Sequence, residues 1–273
     1  MPRNCFICRT CAVQYSEHER PPARCIICED ERQYVGWQGQ QWTTLIELAK
    51  QGYTNDVREV EPNLTGIGVS PHLGIGQRAL LVQTEGGNVL WDCIGYLDAE
   101  TIDRVNELGG IHAISASHPH FYGSIIEWSQ AFNNAQVYIP RDDEAWITRP
   151  DPAIQFWEDS LELLPGVTLA QCGGHFAGSA VLHWAGGADG KGVLLTGDTI
   201  QVVQDRDYVS FMWSFPNLIP MPATEVQRIV DAVSPYEYDR IYGGWWHTVI
   251  EADAQAAVRR SAARYISRMQ RLP

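Results

Sequence analysis

The sequence predicts an α+β fold in which two packed sheets are flanked by helices. Three observations predict it. Short apolar runs bounded by glycine turns come first as hairpins, and again after Leu161. Stretches with helical spacing lie between and after them. The chain has 273 residues, 45% of them hydrophobic, enough for one sizeable core and a small appendage. Sheets and helices in this order bury their apolar faces as stacked layers.

Thr44-Leu-Ile-Glu47 is a capping-box pattern opening a short helix that ends near Gln51. Residues 56–60 alternate as an edge strand. The glycine-rich stretch 65–75 reads as loop, with His72 an ordinary loop histidine. Residues 78–84 and 89–92 form a hairpin around Glu85-Gly-Gly-Asn88. Asp98 caps a helix that stops at Gly109-Gly110. Residues 111–116 are a short buried strand, 124–132 a helix with Ile125, Trp128 and Phe132 at core spacing, 136–139 a strand and 141–147 a short helix. Strands follow at 161–164, 167–170, 180–184 and 193–199, then a helix at 224–233, a strand at 240–242 and a terminal helix over 253–270. No solenoid-period repeat or low-complexity tract interrupts this order.

The formal net charge of −13, with no Lys/Arg cluster, argues against nucleic-acid binding. No apolar run of membrane-spanning length and no apolar signal segment are visible, so a soluble, cytoplasmic protein without a membrane partner is expected. Oligomeric state is not legible.

Five of the seven cysteines lie in the first 28 residues. Cys8-x-x-Cys11 and Cys25-x-x-Cys28 are spaced for a structural zinc site, whose metal supplies folding energy that so short a segment lacks. A set beginning at Cys5 and Cys8 is the alternative, and an iron centre a further one. The Cys-x-x-Cys-small-x-x-aromatic pattern at Cys8, Cys11, Ala12 and Tyr15 resembles zinc ribbons and the rubredoxin-type knuckle. The resemblance favours Cys8, Cys11, Cys25 and Cys28, with Cys5 spare. A ribbon over residues 1–35, packed against a main domain of 36–273, is the expected organisation.

The main domain carries a second candidate. The strand ending at Ala116 delivers His118-Pro-His120, and alternation sends both imidazoles to one side. Taken alone, His-x-His suits two loop histidines equally well. Three more ligand-type residues occupy glycine-rich turns at strand ends: His175, Asp198 and His247. Four such turns together favour a metal site.

The succession His118-x-His120, Gly174-His175-Phe-Ala-Gly178-Ser179 and Leu195-Thr-Gly-Asp198 resembles the metallo-β-lactamase superfamily over roughly residues 78–250. The resemblance implies an αββα sandwich with a metal site along one edge of the sheets. It implies that His118, His120 and His175 hold a first metal, with Asp198 bridging two metals or ligating one. The family pattern His-x-His-x-Asp-His is broken here by Tyr122 and Gly123, and Trp245 stands at the family's last histidine, two residues before His247. One metal is therefore expected rather than two.

Three functions remain open. A hydrolase of a small molecule would use one zinc to lower the pKa of bound water, with Asp198 orienting that water or acting as base, and with Tyr122 either donating to an oxyanion or serving as an aromatic packing residue. An iron-dependent oxygenase would use His118, His175 and Asp198 as two imidazoles and a carboxylate; persulfide dioxygenases of the superfamily use iron in a comparable arrangement. A non-catalytic metal-binding member is the third. The many tryptophans are expected partly as core and partly as walls of a small-molecule pocket.

Overall fold

In the computed structural model, which describes residues 4–270, strands and helices assemble as four layers. The first sheet has seven strands. From one edge they run Ile154–Trp157, Gln136–Pro140, Ala113–Ser115, Gly87–Trp91, Ala79–Thr84, Leu64–Ser70 and Thr54–Glu61. The second has six, in the order Ser160–Leu164, Val167–Gln171, Ala180–Trp184, Val193–Gly197, Arg240–Gly243 and Val249–Ile250.

Strand alternation divides the core. Leu80, Val82, Val89 and Trp91 of the first sheet meet Leu169, Leu182 and Leu195 of the second. Their neighbours Leu81, Leu90 and Ile114 face the other way, against Val105 of the helix Ala99–Glu107 and Ile126 and Trp128 of the helix Ile125–Ala131. On the far side, Val181, Leu194 and Ile241 pack against Val226 and Ile229 of Ala223–Val233 and Val258 of Ala254–Met269. The layers are thus helix, sheet, sheet, helix, as the αββα expectation requires.

Local signals act where the sequence placed them. The Thr44 hydroxyl accepts from the Glu47 amide at 3.2 Å, and the Asp98 carboxylate accepts from the Thr101 amide at 2.8 Å. Leu64–Ser70 corrects the loop expected over 65–75: it is a strand, buried along most of its length. Its glycines mislead because they serve packing. A Cβ on Gly66 or Gly68 would stand 2.7 or 3.0 Å from the Trp246 ring. The strand Ile154–Trp157 is additional to the expected ones, and the short helix expected over 141–147 is a 3₁₀ helix over Arg141–Trp146.

The N-terminal segment carries its own three-stranded sheet of Gln14–His18, Asn4–Cys8 and Trp42–Thr43, so its pairing reaches past residue 35. It packs against the main domain. The Gln14 amide donates to the Gly123 carbonyl at 2.9 Å and the Ser16 amide to the Thr148 carbonyl at 3.0 Å. Arg149 reaches both Gln14 and Glu127. Among the described residues no helix is long and apolar enough to cross a membrane.

Candidate metal centre

Among the described residues, two clusters of ligand-type side chains are buried. In the first, Cys8, Cys11, Cys25 and Cys28 converge. The Cys8–Cys28 and Cys11–Cys25 sulfur separations are 3.6 and 3.7 Å. A tetrahedron with metal–sulfur bonds of about 2.3 Å has an edge of about 3.8 Å, so the four sulfurs are spaced to hold one tetrahedral metal ion. The Tyr15 hydroxyl donates to the Cys25 sulfur at 3.3 Å and the Gln40 amide to the Cys8 sulfur at 3.2 Å, as expected around thiolates. Cys5 lies on a strand outside this group and is half-exposed.

The second cluster comprises His118, His120, His175 and Asp198, whose ligand atoms lie within 4.8 Å of one another. His118 follows the strand Ala113–Ser115, and Asp198 follows Val193–Gly197 in the other sheet. The sheets are tied together here. The Ala180 amide donates to the Ser117 carbonyl at 2.9 Å, and the Ser117 amide to the Asp92 carboxyl at 2.7 Å. Gly197 has φ of +50°, and a Cβ there would stand 2.1 Å from the Ser117 hydroxyl. His175 rides a turn closed by Ser179, whose hydroxyl accepts from the Phe176 amide at 2.8 Å.

The donor atoms are free. Among the described residues, Nε2 of His118, His120 and His175 and Oδ1 of Asp198 are buried without hydrogen-bond partners. Buried polar atoms rarely stay unpaired, so four converging on one point fit a metal ion. Nδ1 of His175 lies 2.8 Å from the Trp213 carbonyl and 3.2 Å from that of Met212. Carbonyls only accept, so Nδ1 carries the proton and Nε2 presents its lone pair.

Burial pushes His118 and His120 well below the usual histidine range, reinforced by the neighbouring His175 and by Arg32, and burial takes His175 to about 4. Burial, and then the Asp92 carboxyl, raise Asp198 to about 8. With His118 held neutral, its 3.7 Å contact with Asp198 is not an ion pair. A cation among them reverses the logic for Asp198 and favours its ionised form.

His247 does not join the cluster. It is exposed in the turn after Arg240–Gly243, and that turn spends its aromatic rings on packing. Trp245 stands against Phe121 at 5.8 Å and donates to the Ile75 carbonyl at 2.9 Å. The Tyr122 ring is buried in the core cluster with Val13, Ile125 and Ile139, and its hydroxyl is buried without a hydrogen-bond partner. Gly123 has φ of +50°, and a Cβ there would stand 2.6 Å from the Ile94 backbone, so no side chain fits.

Sequence reasoning missed Asp92, Ser117 and Arg32. A carboxylate ending the apolar run Val89-Leu-Trp91 was the available signal for Asp92; none marked Arg32. Aromatic rings close the surroundings. Phe121 and Phe176 flank His118 at 4.9 and 5.6 Å, and Phe215 lies 5.8 Å from His175.

Residues 74–245 match the family described as the metallo-beta-lactamase superfamily. The chain belongs to that superfamily. The "Uncharacterized protein YmaE" of Bacillus subtilis (strain 168) is 50% identical over 263 residues, covering 96% of this chain and 95% of that protein. Among solved structures, the DIM-1 metallo-beta-lactamase is similar with a TM-score of 0.58 at 15% identity, covering 78% of this chain and 98% of that one. TMB-1 gives 0.59 at 12%, covering 79% and 99%. At such identities these likenesses show a shared fold. Superfamily membership and the His/His/His/Asp cluster together fit a metal-dependent hydrolase.

Proposed function

We infer that the protein hydrolyses a small molecule at a single zinc held by His118, His120 and His175, with Asp198 as further ligand or base. The observation that carries this reading is the buried convergence of three unpartnered imidazole nitrogens and one carboxylate oxygen. Tyr122, Gly123 and His247 support one metal rather than two, because none of them offers a ligand atom to the cluster.

Zinc in such a set lowers the pKa of bound water to about 7 and polarises a carbonyl or phosphoryl oxygen. The chain's own residues supply the rest. The Trp213 and Met212 carbonyls fix the tautomer and the plane of His175. Asp198, at the edge of the cluster, takes or returns a proton at its carboxylate. Phe121, Phe176 and Phe215 exclude bulk water and favour a substrate with an apolar portion.

The test is metal content together with activity. Two zincs per chain are expected, falling to one in His118→Ala. Hydrolysis across a panel of lactam, lactone, thioester and ester substrates should vanish in the same variant. Iron at the histidine cluster with substrate-dependent oxygen uptake would replace this reading with the oxygenase. Unchanged metal content in His118→Ala would leave a non-catalytic member.

A further inference from the structure

His175 is held from both ends by partners that lead back to the cysteine cluster. Two residues after Cys28, the Asp30 carboxylate folds back to accept from the backbone amide and the guanidinium of Arg32. Arg32 is only 9% exposed. Its Nη1 donates to the carbonyl of His175 itself at 3.1 Å, and its plane covers the Phe176 ring at 3.8 Å. Beside it, Glu31 accepts from the Trp213 indole at 2.7 Å. The Asn217 side-chain amide donates to the Glu31 and Gln33 carbonyls at 2.8 and 3.0 Å. The Trp213 carbonyl is the one that orients the His175 ring. The strap of residues 29–33 thus grips the His175 backbone through Arg32, and its ring through Glu31 and Trp213.

The strap forms no helix or strand of its own. Its near anchor is the Cys25–Cys28 turn, where the Glu29 amide donates to the Cys25 carbonyl at 3.0 Å. Short segments built on a metal knuckle take their conformation from the metal.

We propose that metal binding by Cys8, Cys11, Cys25 and Cys28 controls loading of the histidine cluster, with Arg32, Glu31 and Trp213 as positioning residues for His175. The proposal rests on reading the histidine cluster as a metal site. A metal in the cysteine knuckle fixes the strap, and the strap holds His175 Nε2 toward its fellow ligands. Linkage is reciprocal, so a filled histidine cluster strengthens the knuckle by the same factor.

Cobalt(II) titration of the full chain separates the two sites. Cobalt on thiolates gives intense charge-transfer absorption, whereas cobalt on imidazole and carboxylate gives weak ligand-field bands. Trp213→Phe and Glu31→Ala leave all four cysteines in place, and Glu31 is exposed, so folding survives the latter. Both should weaken cobalt binding at the histidine cluster by about 10–100-fold while the thiolate bands stay unchanged. Glu31→Gln keeps an acceptor for the indole and should restore binding. Cys28→Ser should lose the thiolate bands and weaken the histidine cluster as well. Parent-like histidine-site affinity in both Trp213→Phe and Glu31→Ala overturns the coupling alone. A parent chain that takes cobalt only at its thiolates overturns the metal-site reading and the coupling together.

Discussion

Asp143 illustrates what one buried residue can reveal. Its Oδ1 accepts from the Gly178 amide at 2.9 Å, its Oδ2 has no partner, and burial pushes its carboxyl from 3.8 up to about 7. A group with a raised folded pKa contributes stability at low pH that is lost as pH rises through the folded value. Asp143→Asn keeps the Gly178 hydrogen bond and removes the titration. The melting temperature of the parent should therefore fall relative to the variant between pH 4 and 7, and run parallel to it above pH 7. The slope is at most about 1.4 kcal/mol per pH unit. A parallel course throughout would mean that Asp143 is ionised in the fold. Gly123 gives a second prediction at this scale. Its positive φ and the Ile94 backbone at 2.6 Å mean that Gly123→Ala should cost about 3 kcal/mol or more in denaturant unfolding. Gly123→His, the family's residue at this position, should disrupt folding rather than add a second metal, as metal content per folded chain would show.

Among elements, the helix Ala99–Glu107 and the strand Leu64–Ser70 show opposite sides of sequence reading. Asp98 announced its helix correctly, but it also ties that helix to the sheet edge. Its second carboxylate oxygen accepts from the Asn55 amide at 2.8 Å. Asp98→Ala should accordingly cost about 1–2 kcal/mol, the upper range for a lost cap, read as a shift in the unfolding midpoint. Leu64–Ser70 was invisible because Gly66 and Gly68 carry no strand propensity and make room for an indole contributed from position 246. The glycines were legible; the ring that needs them was not. The same holds for Gly173 and Gly174. Their φ values of +70° and +82° suit the turn, but Gly174 also avoids the Ile229 side chain at 2.8 Å.

For the whole molecule, the inter-sheet layer carries the cohesion. Trp91 lies fully buried between the sheets, one residue before Asp92. Trp91→Ala should lose about 3–5 kcal/mol, measured by denaturant unfolding, and should loosen the edge where Asp92 holds Ser117. A metal held by the cysteine knuckle would add a second source of stability. Chelation of its metal should lower the melting temperature in a chain whose histidine cluster has already been emptied by His118→Ala.

The sequence by itself determined two packed sheets with flanking helices, a cysteine knuckle in the first 28 residues, and ligand-type residues at strand ends that include His118, His120, His175 and Asp198; resemblance to known families narrowed these to the αββα sandwich and the particular ligand sets. The signals in the residues are local: periodicity, spacing, and ligand-type residues at strand ends. Tertiary structure decided the rest. It buried the Tyr122 ring in the core, left His247 in solvent, packed Trp245 against Phe121, and brought Arg32 across 143 positions to the carbonyl of His175. Each of those outcomes depends on which distant surface a side chain meets, and one-dimensional spacing does not encode that meeting.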